Sequence, residues 1–598
     1  MRFIARIRSV YTYCFEKYSA GLSEGLWVLV LLFLLQMSLN SVFIFKSYNL
    51  LPEGESLIVG ISLWGAMMRA ALRSLFWSVI SWWGYALLAS HRINKIIWGT
   101  AIILVSLLLF VAESFMLYRY GMVYTQSVIQ VLAGTNPREA SEYFEASFDV
   151  SMLILVLLVG FVIVWTVMRY VSWAKGKRFR FVPVLFLLSI PPVAVVLGYS
   201  TPRTYQKVMD SGQAYDLTIA PYDRLLWNTV GFIRESHAIS DATNRIAKID
   251  IGELKEQKYV TTPPQSQLHV VVVVGETLRR DYMHCYGFPL SNTPGLDSLL
   301  VTGDLTAYTD VVSPAPNTIE SLTKVFTYQT NEMQGKWYDY PALPSVFSKA
   351  GYWVEWTSNQ ESTGTFIQPL NTFAKLSDGY KYANARSIDE EHDHTKSFYD
   401  EDLLPYLQTT SRAEEAGKRG LIQIVHLMGS HPVYGKRFPK SFAKFSPDSL
   451  PVRRAPDKDQ VVSDYINSIY YNDYVVTQII NFYSKRAAIV VYFSDHGEVI
   501  YDDPRNPNYC DHGMLPQGVS VPFLVYLSPE VRREYPDLYD KIRGSKDRRI
   551  MLDLFTHSLG GLLGIQNKYS DPTLDFFSDE YDEDRPRIIR SFSQELRL

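Results

Sequence analysis

The chain has 598 residues, a formal net charge of −3 and three cysteines. It is too long for one ordinary domain and has room for a large core. The near-neutral charge argues against a nucleic-acid binder, whose footprint would be strongly basic, and three cysteines make no dense disulfide framework.

Hydropathy divides the chain, because the first third is rich in apolar runs and the remainder is not. Trp27 to Phe45 is an apolar run of roughly the 20 residues needed to cross a bilayer. It is long and no small-residue cleavage pattern follows closely, so it reads as a retained anchor and not a signal peptide. A second span lies around Leu75 to Ala89, and reaching full length means extending it back past Arg73 and Arg69. Ile96 to Leu117, Met152 to Met168 and Phe181 to Tyr199 complete an expected five. Arg2, Arg6, Arg8 and Lys17 precede the first span, Arg92 and Lys95 follow the second, and Arg169, Lys175, Lys177, Arg178 and Arg180 follow the fourth. With five spans these basic segments share one side, which should be cytoplasmic, and everything after Tyr199 lies outside. Cys14 is then cytoplasmic. A bridge between Cys285 and Cys510 is permitted by an oxidising compartment, though nothing in the spacing demands it.

Residues 1–200 thus read as a transmembrane domain with an outside loop at about 118–150. That loop holds "YTQSVIQVLAGTNPREASEYFEASF", whose first part reads as a helix broken at Asn136-Pro137. It could equally be an interfacial helix resting on the membrane. Residues 201–264, ending in "TTPP", read as a linker with helical pieces. From 265 to 598, apolar strand-like runs alternate with helical patterns, the signature of an α/β domain with a mainly parallel sheet. The candidate strands "HVVVVVGE", "YWVEWTSNQ", "GLIQIVHLMGSH" and "AAIVVYFSDHGE" each end in polar, ligand-type residues. Four such endings suggest one shared site at the carboxyl edge of the sheet.

The residues at those ends form a chemical set. "FSDHGE" supplies Asp495 and His496, "YCDHGM" supplies His512, "VHLMGSH" supplies His426 and His431, and Glu276 comes from the first strand. Carboxylates and imidazoles in this combination suit a borderline metal such as zinc. In "SPAPNTIESLTKVF", Pro314 and Pro316 hold an extended approach, and Ile319 to Phe326 reads as a helix. Thr318 therefore lies at or next to a helix N-terminus, where N–H groups and the dipole favour a phosphate. A neighbouring metal would activate its hydroxyl as a nucleophile. On local sequence alone, Asn317 or Thr318 reads first as no more than the N-cap of that helix.

The ordered set "GET", "PNT…SL", "SNQ", "HLMGSH", "SDHGE" and "DHG", behind five apolar spans, resembles the membrane-bound phosphoethanolamine transferases of the alkaline phosphatase and sulfatase superfamily. That group includes enzymes that modify lipid A in lipopolysaccharide and confer polymyxin resistance. The resemblance covers essentially the whole chain. It implies an inner-membrane enzyme with a periplasmic sulfatase-like domain that moves phosphoethanolamine from phosphatidylethanolamine to a lipid or glycan acceptor, working as a monomer. It implies that Glu276, Thr318, Asp495 and His496 bind zinc, with Thr318 as nucleophile. His431 and His512 would line the phosphate pocket and could hold a second metal. "TNPREA" looks like the family's Thr-x-x-x-Glu substrate segment, giving Thr135 and Glu139. Two departures bear on the substrate pocket and so on the acceptor: Val131, beside Gln130, stands where lipid A transferases often have asparagine, and "SNQESTG" lacks their nearby lysine. The multiple disulfides of the lipid A branch are also missing. A different branch of the family is expected.

Other classes fare less well. A type I sulfatase needs a formylglycine precursor within C/S-x-P-x-R, and here Glu320 and Leu322 occupy the Pro and Arg places. A phosphoglycerol transferase of the lipoteichoic-acid type shares the topology and the threonine nucleophile and is the alternative. A non-catalytic membrane protein would lack ligands, and none is missing.

Overall fold

The structure is a computed structural model. It describes residues 18–49, 62–87, 92–119, 123–124, 129, 150–175, 177–211, 220–251, 268–360, 368–383, 399–409, 411–504, 507, 509–591 and 594–598. The chain divides into an N-terminal helical unit ending at Glu235 and an α/β unit that begins at Ser236.

The helical unit contains α1 (Leu26–Asn49), α2 (Leu63–Leu87), α3 (Arg92–Arg119), α4 (Val150–Ala174), α5 (Val182–Val195), α6 (Thr201–Ser211) and the first half of α7 (Pro221–Ile251). Five spans were expected. Among the described residues three segments are long and apolar enough to cross a membrane: Leu26–Phe45, Ile93–Leu117 and Val182–Gln206. The other two expected spans are helical as well. α2 carries Arg69 and Arg73 in its N-terminal half, and the described apolar stretch of α4, Leu158–Ala174, is shorter. Expected "helical pieces" after residue 200 are α6 and the 31-residue α7.

Two charged clusters lie inside this unit. Arg224 is fully buried, grips both carboxylate oxygens of Glu113 at 2.8 and 2.5 Å, and donates to Asn40 Oδ1 at 2.8 Å. Arg73 pairs with Asp223 at 3.2 Å and donates to Thr204 Oγ1 at 2.8 Å. Ionised groups among apolar helices need such partners, because each unpaired charge would cost several kcal/mol.

The α/β unit is built on a seven-stranded sheet. Its strands are β1 (His269–Gly275), β2 (Leu305–Ala307), β3 (Tyr352–Ser358), β4 (Gly379–Tyr382), β5 (Gly420–His426), β6 (Ala488–Ser494) and, after a small two-stranded ribbon of β7 (Val499–Ile500) and β8 (Cys510–Asp511), β9 (Phe523–Leu527). The spatial order is β2-β9-β6-β1-β5-β3-β4. β6, β1, β5, β3 and β4 run parallel, and β9 is antiparallel to both its neighbours.

The run of valines in β1 follows from its central place. Val270, Val272 and Val274 enter one hydrophobic core with Leu322 of α8 (Thr318–Val325) and Phe326 just beyond it. Val271 and Val273 enter a second core on the other face, against Tyr465, Ile469 and Val476 of α9 (Pro456–Tyr483). Both faces are dry, so no polar alternation survives, and each buried valine contributes on the order of 1.5–3 kcal/mol.

Register fixes where the strands stop. Gly275 pairs with Ser494, Val274 with His426, and His426 with Ser358. Four strands therefore release their next residues at one edge: Glu276 after β1, Asn359 and Gln360 after β3, Leu427 to His431 after β5, and Asp495 to Glu498 after β6. Cys285 and Cys510 are separate thiols, not a bridge.

Candidate active site

Glu276 leaves β1 and is followed by Thr277, a β-branched residue at φ +57°. This left-handed conformation costs about 1–3 kcal/mol and persists only where neighbours enforce it. Here the Thr277 N–H donates to Asp495 Oδ1 at 3.1 Å, its hydroxyl donates to Glu276 Oε1 at 2.8 Å, and the next N–H, of Leu278, donates to Ser494 Oγ at 2.9 Å. The strain turns the Glu276 side chain back across the sheet edge toward Asp495 and His496.

Asp495 is fully buried. Its Oδ1 also accepts the His496 N–H at 2.7 Å, while Oδ2 has no hydrogen-bond partner. The His496 ring is oriented by its own backbone: Nδ1–H donates to Gly497 O at 2.7 Å. That leaves Nε2 facing Glu276 Oε1 at 3.3 Å and Asp495 Oδ2 at 3.4 Å, where it carries a proton until a metal takes its place. A histidine with one nitrogen held by a carbonyl and the other able to give up its proton is the arrangement a metal requires.

Thr318 arrives from the opposite side. Asn317 is the N-cap of α8, accepting the Glu320 N–H at 3.0 Å. This resolves the capping question and frees the Thr318 hydroxyl, which donates to Glu276 Oε1 at 3.1 Å and lies 3.4 Å from His496 Nε2. Ser321, one turn on, donates to the Asp495 carbonyl at 2.6 Å and fastens the helix to the β6 loop.

The electrostatics are those of a crowded anionic pocket. Burial pushes the Asp495 carboxyl up to about 7, helped by the neighbouring Glu276 charge. Burial alone would lower His496, but the two carboxylates outweigh it and push the ring up to about 10. Burial likewise opposes ionisation of Glu276, and the His496 ring overcomes it, holding that carboxyl well below the usual range. Two carboxylates share one imidazolium, with a buried oxygen unpartnered between them. The donor atoms of Glu276, Asp495 and His496 all lie within 4.8 Å of one another. An oxygen, oxygen and nitrogen set with the Thr318 hydroxyl alongside fits a four-coordinate cation.

Three further residues shape the site and had not been singled out in the sequence. Gln360 donates to Leu427 O at 2.9 Å and to Glu276 Oε2 at 3.4 Å, steadying the second carboxylate oxygen. Buried Asp400 accepts from Met428 N, Gly429 N and Asn359 Nδ2 at 2.7, 2.8 and 2.9 Å, and so shapes the loop after β5. Gly429 sits at φ +52°, and a Cβ there would come within 2.7 Å of Glu276 N, so only glycine allows the β5 and β1 loops to approach this closely. "SNQ" and "GS" were visible in the sequence, but their roles depend on strand register.

His426 is buried at the end of β5, with Nε2 3.9 Å from Glu276 Oε2 and no hydrogen bond. His431 lies in the Asp400-shaped loop. Burial and then nearby Arg437 lower it to about 4, so it is neutral near pH 7. His512 packs edge-on against His496, ring centroids 4.4 Å apart. The structure thus brings Glu276, Thr318, Asp495 and His496 into mutual contact, with His512 beside them. Thr135 and Glu139 lie outside the described residues.

Sequence comparison fits this geometry. Residues 80–236 match the family described as Phosphoethanolamine transferase EptA/EptB, and residues 269–565 match Sulfatase. The chain belongs to the membrane-bound phosphoethanolamine transferase family, within the alkaline phosphatase superfamily. Among family members, the phosphoethanolamine transferase EptC of Escherichia coli K12 is 27% identical over 482 residues, covering 78% of this chain and 79% of that protein. The C-terminal periplasmic domain of Escherichia coli EptC, solved in complex with Zn, is 26% identical with a TM-score of 0.51, covering 57% of this chain and 95% of that one. The integral membrane lipooligosaccharide phosphoethanolamine transferase A of Neisseria meningitidis shares the fold over 92% of this chain and 97% of its own, with a TM-score of 0.61 at 18% identity.

Proposed function

We propose that this chain is a zinc-dependent enzyme that moves phosphoethanolamine from phosphatidylethanolamine to lipid A, lipopolysaccharide or another envelope glycan, by way of a phosphorylated Thr318. The observation that carries the reading is the Thr318 hydroxyl, which is free of capping duty and aimed at Glu276 and His496. Family membership and the zinc bound by the EptC domain of Escherichia coli support the same reading.

Glu276, Asp495, His496 and the Thr318 oxygen would hold the zinc, which supplies a lowered hydroxyl pKa and offsets charge on the phosphoryl oxygens. Thr318 Oγ attacks the donor phosphorus, its proton leaving along the hydrogen bond to Glu276. The ester bond to diacylglycerol breaks, and the glycerol oxygen takes up a proton as it departs. An acceptor hydroxyl then attacks the same phosphorus and returns the threonine hydroxyl. His431, neutral near pH 7, and His512 line the phosphate. The loop segment with Thr135 and Glu139 holds the lipid donor. Five spans anchor the enzyme in the inner membrane with the catalytic unit in the periplasm.

The test is a trapped intermediate. Full-length enzyme given phosphatidylethanolamine without acceptor should release diacylglycerol and gain one phosphoethanolamine on the peptide containing "PNTIESL". Thr318→Ala should lose the adduct and at least about 1000-fold in transfer rate, since removal of a nucleophile leaves only binding and electrostatic effects. Thr318→Ser should retain part of both. A capping role alone would cost Thr318→Ala about 1 kcal/mol of stability with transfer intact, and full transfer in a folded Thr318→Ala enzyme refutes the mechanism. A phosphoglycerol adduct on the same threonine would assign the alternative donor.

A further inference from the structure

We infer that Arg437, acting through a strained turn at Val433, is a positioning residue that holds the His431 imidazole against the transferred phosphate. This rests on the transferase reading above, in which His431 lines the phosphate, and adds the device that keeps the ring there.

The ring itself is untethered. His496 is oriented through its side chain, because its Nδ1–H donates to Gly497 O. His431 has no such tie: its Nδ1 is shut off from solvent and makes no hydrogen bond. After Arg437, the charges that act on this ring are those of Glu276, His512 and His496, so it lies beside the proposed metal site. Its direction must therefore come from the backbone that carries it.

That backbone is held on both sides. Upstream, the Ser430 N–H donates to Glu276 O at 3.0 Å and the His431 N–H to Met428 O at 3.2 Å. Downstream, Pro432 has a fixed φ and no N–H to offer, and Val433 then turns the chain at φ +65° and ψ +50°. A β-branched residue in the left-handed region is a genuine outlier, and it persists only where the surroundings enforce it. Val433 joins none of the hydrophobic cores that flank the sheet among the described residues, so packing of its own side chain does not impose the turn.

Arg437 does. Its buried guanidinium reaches back along the chain, where Nε donates to His431 O at 3.1 Å and to Pro432 O at 3.3 Å, and Nη2 donates to Pro432 O at 2.8 Å. Between the two ends, the Lys436 N–H donates to Val433 O and the Arg437 N–H to Tyr434 O, each at 2.9 Å, closing a tight turn over Tyr434–Lys436. Tyr434 and Phe438 fix this turn in the core that holds Tyr465, with the Tyr434 and Tyr465 rings 4.9 Å apart. A planar fork grips two successive carbonyls at once, which a lysine ammonium does not match. The grip ends on the carbonyl of His431 itself, six positions back. Any slackening of the fork is passed directly to the histidine.

The experiment uses full-length enzyme with phosphatidylethanolamine as donor, following diacylglycerol release and the adduct on Thr318. Arg437→Lys keeps the charge beside His431 and removes the fork. Its kcat should fall about tenfold or more, the scale on which a misplaced group costs rate, with KM within about twofold of wild type. Adding Val433→Gly should recover about threefold or more of that loss, because glycine adopts the left-handed turn without enforcement. In a His431→Ala background, Arg437→Lys should cost less than about twofold further, since the ring it positions is gone. Arg437→Gln carries the same test if the lysine variant does not fold. Undiminished kcat in the Arg437 variant, no recovery with Val433→Gly, or an equal loss with and without the His431 ring overturns the inference. A wild type that forms no phosphoethanolamine adduct on Thr318 defeats the transferase reading and this inference together. A normal wild-type adduct with any of those three outcomes defeats this inference alone.

Discussion

Asp495 Oδ2 is the most informative single atom in the catalytic unit, because it is buried without a hydrogen bond, facing the His496 ring, while its twin oxygen takes two backbone N–H groups. Burial of a bare carboxylate oxygen is unfavourable unless a cation completes it. Glu276→Ala or Asp495→Ala should therefore lose tight metal binding, by about 100-fold or more since a protein ligand matters at least as much as the partners that orient it. Circular dichroism should stay native, as both residues follow the strands and contribute nothing to the two cores. Metal retained after dialysis in both variants would contradict the assignment. Affinity in the unmutated enzyme should fall as pH falls, because His496, pushed up to about 10 in the metal-free protein, must lose its proton to bind. At this scale the sequence is readable where a residue ends a strand, as Glu276 and Asp495 do. It is silent about Gln360 and Asp400, whose importance lies in contacts with Glu276 and the Gly429 loop at sequence separations of 84 and 29.

Elements were legible to the degree that one periodicity governed them. Continuous β-branched runs identify β1, β5 and β6 as two-faced strands, and their polar endings follow from a shared register. β9 is equally apolar, yet nothing local says that it runs antiparallel, since direction is set by how the chain returns to the sheet. α2 was hard to delimit for a related reason. Arg69 and Arg73 break its apolar pattern, and Arg73 becomes tolerable only through Asp223, 150 residues later. The same logic holds for Arg224 and Glu113, and it can be measured. Glu113→Ala should destabilise the helical unit by roughly 3–5 kcal/mol, because it strands the Arg224 guanidinium among apolar helices. The double variant Glu113→Leu with Arg224→Leu should cost much less than the single one, since both charges leave together. Thermal unfolding in detergent distinguishes the outcomes, and a double variant as unstable as Glu113→Ala would mean the pair contributes attraction well beyond mutual neutralisation.

For the whole molecule the decisive quantity is the parity of membrane crossings. Among the described residues three helices qualify as spans by length and composition alone, and three or five crossings both put the α/β unit on the side opposite the N-terminus, whereas four would not. Odd and even counts differ at the basic segment Arg169 to Arg180, which runs from the end of α4 to the start of α5. If α2 and α4 both cross, four crossings precede this segment and it lies on the N-terminal side; if neither crosses, it follows two crossings and lies there too. If only one of them crosses, the segment moves outside, against the preference of clustered Arg and Lys for the cytoplasm. Arg73 does not prevent α2 from crossing, because it is buried and neutralised by Asp223 within the helical unit, and a paired charge facing the bundle interior is tolerated. Reporter fusions at Leu51, Lys175 and Thr262 should therefore read periplasmic, cytoplasmic and periplasmic, and a fourth at Ser90 should read cytoplasmic only if α2 crosses. A periplasmic signal at Ser90 removes α2 from the membrane count. A cytoplasmic signal at Thr262 would put the Thr318 hydroxyl on the wrong side for an envelope acceptor and defeat the proposed function outright.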